Sequence, residues 1–224
     1  MKKIFLVYVV GYLILLISML GLQYVYPKLE LHLLLNSCHT KLQDTFFTYY
    51  SMLAEGPLYV LALLPLLWKK FRLVLFFALC ELSGGSVLQI LKHLISMPRP
   101  ASEFENMPDG ILPVVEGVSL HSGNSFPSGH ASTFFIFSTC CALLVAYFYR
   151  RKVENANCWL WLFLGFLLLL LLVLAALGAY SRVYLSQHFL SDVCMGSVIG
   201  FITPCLMFYF GRQSILKLKS SDIK

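Results

Sequence analysis

The chain has 224 residues, of which 58% are hydrophobic and only 12% are charged. Because a soluble domain carries about 25% charged residues, this composition excludes an ordinary soluble protein. The net charge of +6 does not indicate a nucleic-acid-binding protein, since the basic residues are spread over the ends of apolar runs instead of forming one patch.

Six apolar runs predict six membrane-spanning helices. A helix needs about 20 mostly apolar residues to cross a hydrocarbon core of about 30 Å. The runs that meet this requirement are residues 4–25, 46–67, 72–92, 131–149, 158–180 and 189–210. Little sequence remains outside them, so we expect residues 1–224 to form a single membrane domain of the all-α class. The first run is too long for a signal peptide and no small-residue cleavage site follows it, so we expect it to be retained.

Basic residues at alternate helix ends predict the orientation in the membrane. Short loops rich in Lys and Arg stay in the cytoplasm. The basic residues concerned are Lys2, Lys3, Lys69, Lys70, Arg72, Arg150, Arg151, Lys152, Arg212, Lys217, Lys219 and Lys224. We therefore expect a protein of the cell inner membrane with both termini in the cytoplasm, and with the segments after helices one, three and five on the external face. The long external segment 95–126 contains several Pro and Gly residues, which prevent a continuous helix.

The first polar cluster, KHLISMPRP, covers residues 92–100 at the external end of the third predicted helix. It contains two cations, Lys92 and Arg99. Taken alone, the cluster is explained by a lysine that extends its amine to the interface and an arginine in solvent. The prolines on both sides of Arg99 favour a fixed backbone.

The second cluster, FPSGHAST, covers residues 126–133 at the start of the fourth predicted helix. Ser128 suits the N-cap position, and Gly129 allows another group to approach the backbone closely. Free N–H groups at a helix start attract anions, and His130 would lie beside them. An ordinary helix cap followed by an interfacial histidine explains the same residues equally well.

The third cluster, SRVYLSQHFLSD, covers residues 181–192 between the fifth and sixth predicted helices. His188 and Asp192 are four positions apart, a spacing that places both on one helix face. A carboxylate there can accept a hydrogen bond from the N–H group of one imidazole nitrogen, which leaves the other nitrogen with its lone pair. Arg182 adds a forked donor suited to phosphate. The alternative for the His–Asp pair alone is a structural role at the helix start.

The predicted orientation places all three clusters on the external face. Three cations, Lys92, Arg99 and Arg182, would clamp phosphoryl oxygens, and Ser128 and Gly129 would add N–H donors. Of the two histidines, one can attack phosphorus while the other protonates the departing oxygen. This set of groups requires no metal ion and no other cofactor.

The order and spacing of the clusters resemble the signature of the type 2 phosphatidic acid phosphatases (PAP2), in the superfamily of lipid phosphatases and haloperoxidases. The signature K-x6-R-P, P-S-G-H and S-R-x5-H-x3-D is matched at every position between residues 92 and 192. The resemblance implies a six-helix membrane bundle of the PAP2/haloperoxidase type, although residues 1–91 resemble the family only in layout. The haloperoxidases hold vanadate in a similar pocket but are soluble, which disfavours that branch.

The resemblance also implies a role for each matching residue. His188 is the expected nucleophile, which becomes a phosphohistidine, and Asp192 orients and charges it. His130 is the expected acid for the leaving group. The expected phosphate ligands are Lys92, Arg99, Arg182, Ser128 and Gly129.

The implied activity is metal-independent hydrolysis of a phosphate monoester or diphosphate on a lipid head group, with the substrate entering from the bilayer. The small size and compact loops favour a bacterial lipid A phosphatase, and undecaprenyl diphosphate and phosphatidylglycerol phosphate are the alternative substrates. A phosphotransferase with a lipid acceptor stays open. A non-catalytic phospholipid-binding or transport protein is the alternative of another class. Against a transporter, the sequence lacks the two related halves that are typical of that class.

Two glutamates lie inside apolar runs, where carboxylates are functional candidates by default. They are Glu55 and Glu81. Because both lie well below the predicted external surface, we expect protonated or hydrogen-bonded glutamates that pack between helices.

Overall fold

A computed structural model describes residues 2–68, 70–105, 112–121, 123–154, 158–213 and 216. All regular structure in these residues is helical, which confirms the predicted all-α class. The helices are α1 (Lys2–Val25), α2 (Lys28–Leu35), α3 (Lys41–Met52), α4 (Pro57–Leu63), α5 (Phe71–Leu94), α6 (Pro100–Glu105), α7 (Gly129–Glu154), α8 (Cys158–Tyr184) and α9 (Leu190–Gly211). Four basic residues used to predict the orientation lie outside the described residues, namely Lys69, Lys217, Lys219 and Lys224.

Five of these helices, α1, α5, α7, α8 and α9, are long and apolar enough to cross a membrane. Their outer surfaces carry large apolar side chains that are more than half exposed, such as Ile17, Phe166 and Phe210. Because such surfaces are unfavourable in water, they suit contact with lipid. The chain is therefore a multi-pass membrane protein.

Helix α7 occupies the centre of the bundle and packs most extensively against α8 and α9. Two glycines one turn apart on α9, Gly196 and Gly200, allow this close packing. A Cβ atom at Gly196 would meet the carbonyl oxygen of Ser128, and one at Gly200 would lie 2.5 Å from the Cβ atom of Phe135. Small residues at this spacing let two membrane helices approach each other closely. The start of α9 therefore lies beside the start of α7.

The second predicted helix, residues 46–67, differs in the structure because it is divided. Helix α3 ends at Met52, a short 3-10 turn covers Leu53–Glu55, and α4 begins at Pro57. Gly56 between them has a φ angle of 131°, a conformation that a residue with a side chain rarely adopts. Pro57 lacks an N–H group and so cannot continue the preceding helix, although it suits the first position of the next one.

Candidate active site

All three sequence clusters meet at one end of the bundle, where α5 and α8 end and α7 and α9 begin. Arg99 lies at the centre of this region. It is within electrostatic range of Lys92, Arg182, His188 and Asp192. The fold thus brings together groups that are up to 100 positions apart in the chain.

His188 and Asp192 are both buried, with 3% and 1% of their surfaces exposed. His188 Nδ1 lies 3.4 Å from Asp192 Oδ2, which is longer than an ideal hydrogen bond. Ser125 lies between the two side chains: its hydroxyl is 3.3 Å from His188 Nδ1 and 2.5 Å from Asp192 Oδ2. Because Nδ1 of His188 faces Ser125 and Asp192, Nε2 is the ring nitrogen that remains available to a ligand.

Asp192 also holds the backbone at the start of α9. Its Oδ2 accepts a hydrogen bond of 3.0 Å from the Phe189 N–H group, and its Oδ1 accepts one of 3.2 Å from the Ser191 hydroxyl. The aspartate therefore combines the structural role considered from the sequence with a position suitable for orienting His188.

Burial lowers the pKa of His188 from 6.5 to about 4. The hydrogen bond to Asp192 opposes this shift, whereas the positive charges of Arg99 and Arg182 add to it. At neutral pH the imidazole is therefore neutral, which is the form that carries a lone pair.

The two arginines are held by oxygen atoms of neighbouring segments. Arg99 Nη1 donates to the carbonyl oxygen of Gln187 at 2.8 Å, and Arg182 Nη1 donates to the Ser51 hydroxyl at 2.5 Å. The Nε atoms of both arginines are buried without a hydrogen-bond partner. Because a buried donor without a partner is unfavourable, the site has spare capacity to bind an anion.

Asn124 connects the first two clusters, although nothing in the sequence singled it out. Its Nδ2 donates to the carbonyl oxygens of Lys92 and Ile95. Its Oδ1 accepts from the N–H groups of Met97 and Phe126, at 3.0 and 3.2 Å. One amide therefore holds the segment before Arg99 against the segment before α7.

The start of α7 differs in one respect from the sequence prediction. The sequence predicts that Ser128 donates its N–H group to phosphate, but this group donates to the carbonyl oxygen of Asp192 at 3.0 Å. The reason is the close packing of α7 on α9. The Ser128 hydroxyl accepts a bond of 3.4 Å from the Ala131 N–H group, as an N-cap does. Among the two N–H donors expected from this motif, only that of Gly129 is left for a phosphate.

His130 lies beside Glu55, a residue for which the sequence predicts packing between helices. His130 Nε2 is 3.3 Å from Glu55 Oε1. The Glu55 side chain is 57% exposed and that of His130 is 25% exposed. His130 is also within electrostatic range of Arg182. The expectation of a packed carboxylate is therefore wrong for Glu55, because the break at Gly56 places this residue beside the start of α7.

Glu81 does match that expectation. It accepts a hydrogen bond of 2.6 Å from the Tyr59 hydroxyl and one of 2.7 Å from the Thr133 hydroxyl. It therefore joins α4, α5 and α7 through hydrogen bonds to hydroxyl groups. Within the described ranges, no three His, Cys, Asp or Glu side chains form a group suited to hold a metal ion.

A bundle of apolar helices with this polar site at one end defines a membrane protein, and sequence comparison identifies its family. The chain belongs to the PAP2 superfamily, whose pattern matches residues 73–215. Lipid phosphate phosphatase delta of Arabidopsis thaliana is 27% identical over 175 residues, which cover 74% of this chain and 38% of that protein. The chain thus spans less than half the length of that relative.

Two solved structures share the fold. The crystal structure of LpxE from Aquifex aeolicus has a TM-score of 0.62 and 24% identity, and the match covers 82% of this chain and 96% of LpxE. The crystal structure of a transmembrane PAP2-type phosphatidylglycerolphosphate phosphatase from Bacillus subtilis has a TM-score of 0.62 and 21% identity, and the match covers 95% of this chain and 98% of that one. At these identities the likeness concerns the fold.

Proposed function

We propose that this protein is a membrane lipid phosphatase that works through a phosphohistidine. One observation carries the proposal: a buried, neutral His188 contacts Asp192 and lies within electrostatic range of two arginines. One buried and one half-buried arginine favour an anion, and a neutral imidazole beside them is a nucleophile. Family membership and the lipid phosphatase among the relatives support the same activity.

The proposed reaction has two steps. The lone pair of His188 Nε2 attacks phosphorus, the bond from phosphorus to the lipid oxygen breaks, and His130 donates a proton to that oxygen. Water then attacks the phosphohistidine, the N–P bond breaks, and His130 takes up the proton of the water. Asp192 stabilises the charge that forms on His188. Lys92, Arg99, Arg182 and the Gly129 N–H group hold the phosphoryl oxygens.

A lipid head group is the proposed substrate because the site lies at the end of an apolar bundle. Among lipids, we favour lipid A for the compact loops, with undecaprenyl diphosphate and phosphatidylglycerol phosphate as alternatives. The B. subtilis structure is that of a phosphatidylglycerolphosphate phosphatase and has the same TM-score as LpxE. A direct comparison of the substrates is therefore required.

The test is phosphate release by the purified protein in detergent micelles that contain EDTA. Lipid A, undecaprenyl diphosphate, phosphatidylglycerol phosphate and phosphatidic acid are compared in parallel. We expect one of them to be hydrolysed preferentially and His188→Ala to abolish the reaction. Phosphate transfer to an added lipid alcohol would identify a phosphotransferase. Lipid binding without phosphate release from any of the four would support the non-catalytic alternative. Dependence on added divalent cations would contradict the proposed metal independence.

A further inference from the structure

We infer that Glu55 is a positioning residue that holds and orients His130 as the proton donor for the leaving group. This inference rests on the proposed function. The two residues are 75 positions apart in the chain, and their side chains are 3.3 Å apart between Glu55 Oε1 and His130 Nε2. A carboxylate bonded to one ring nitrogen stabilises the imidazolium and leaves the other N–H group free to donate.

Apart from the contact with His130, the position of Glu55 is unfavourable for phosphate binding and for packing. A carboxylate within electrostatic range of Arg182 weakens the attraction of that cation for a phosphate group. Its side chain is also more than half exposed, so it contributes little to packing. The Glu81 carboxylate, in contrast, is held by two hydroxyl groups. Among the hydrogen bonds described for Glu55, the partner is His130, so a role through that histidine accounts for its placement.

The backbone conformation around Glu55 directs its side chain towards α7. Glu55 ends the 3-10 turn Leu53–Glu55, and Gly56 follows with a φ angle of 131°. This turn contacts α7 directly. The chain therefore departs from a continuous helix at the residue whose carboxylate reaches His130.

Each of the two histidines thus lies beside a carboxylate, and the two contacts use different ring nitrogens. His188 contacts a carboxylate through Nδ1, and His130 contacts one through Nε2. His188 is almost fully buried and stays neutral, as a nucleophile must. His130 is partly exposed and lies beside a carboxylate that is more than half exposed. Glu55 is therefore placed to orient His130, as Asp192 is placed to orient His188.

The experiment measures how kcat/KM depends on the leaving group. The substrates are phenyl phosphates that share one alkyl tail and whose phenols span a range of acidity. An acidic phenol departs without a proton, whereas a weakly acidic one requires a donor. For Glu55→Gln we expect kcat/KM to fall by at least about tenfold for the poorest leaving group and by less than about threefold for the best one. The ratio of the two rates is independent of the fraction of folded protein.

Three further variants make the result specific. His130→Ala should show the same dependence more strongly, and adding Glu55→Gln to it should cause no further loss. Glu81→Gln removes the other glutamate of the apolar runs and should leave the dependence on the leaving group as in the wild type. A uniform loss across the series for Glu55→Gln, or an additive loss in the double variant, would overturn the inference. Absence of phosphate release by the wild type from every ester would instead reject the proposed function.

Discussion

The hydroxyl group of Ser125 lies 2.5 Å from Asp192 Oδ2, although the two residues are 67 positions apart in the chain. The same hydroxyl is 3.3 Å from His188 Nδ1. Ser125 can therefore donate to the carboxylate while it accepts from the imidazole. The serine thus supports an aspartate–histidine contact that is long by itself.

Replacement of Ser125 by Ala should reduce catalysis without unfolding the protein. A hydrogen bond to a charged group contributes about 1.5–3 kcal/mol, so we expect kcat/KM to fall by at least about tenfold. Ser86→Ala is the matched control, because the Ser86 hydroxyl bonds to Leu82 in its own helix at an exposed position. Equal activity of the two variants in the phosphate-release assay would show that Ser125 does not support the reaction.

The activity should persist in moderately acidic solution. Burial lowers the pKa of His188 from 6.5 to about 4, so the neutral imidazole is present above this value and is lost as the pH falls through it. After correction for ionisation of the substrate phosphate, we expect the acid limb of log kcat/KM near pH 4. If the acid limb instead lay near the ordinary histidine pKa of 6.5, burial would not lower the pKa of His188. The imidazole would then be hydrated in the active protein.

Replacement of Gly56 by Ala should disturb both stability and the placement of Glu55. The φ angle of 131° at this position is strained for any residue with a Cβ atom, at a cost of about 1–3 kcal/mol. We expect a lower unfolding midpoint and the dependence on the leaving group described for Glu55→Gln. Gly85→Ala is the control, since its Cβ would meet no atom within 4 Å and its helical conformation accepts alanine. Similar midpoints for the two variants would contradict the strain at Gly56.

Replacement of Gly196 by Ala should separate α7 from α9. The new methyl group would meet the carbonyl oxygen of Ser128 and lie 3.0 Å from the Ala131 Cβ atom. Such overpacking costs about 1–3 kcal/mol, and it displaces the start of α7 from Asp192. We expect loss of activity together with a lower unfolding midpoint in a thermal scan. Gly165→Ala, whose Cβ would meet nothing within 4 Å, should retain both properties.

Two natural cysteines provide a test of the orientation in the membrane. Cys38 and Cys158 are both exposed, and the basic residues predict that they lie on opposite sides. A membrane-impermeant thiol reagent should label Cys38 in intact spheroplasts and Cys158 only after permeabilisation. Labelling of Cys158 alone in intact spheroplasts would place the active site in the cytoplasm.

The all-α membrane class and the candidate residues follow from the amino-acid sequence alone. Long apolar runs are sufficient to predict membrane-spanning helices, because the thickness of a bilayer sets the length of such runs. Charged and polar residues are conspicuous in such a chain, since each one is costly there. The sequence alone therefore identifies a pattern of candidate residues, namely Lys92, Arg99, His130, His188 and Asp192.

The groups that contact these residues are evident from the folded structure and not from the sequence. Ser125 and Asn124 belong to residue types that are common in loops and at helix ends, so their identity carries no signal. Glu55 stands out in the sequence as a carboxylate in an apolar run, but its partner does not. Their contacts depend on the turn at Gly56 and on the distance between α7 and α9, both of which result from packing. A local pattern reports hydrophobicity and spacing along the chain, whereas a hydrogen bond between distant residues depends on how the helices pack against one another.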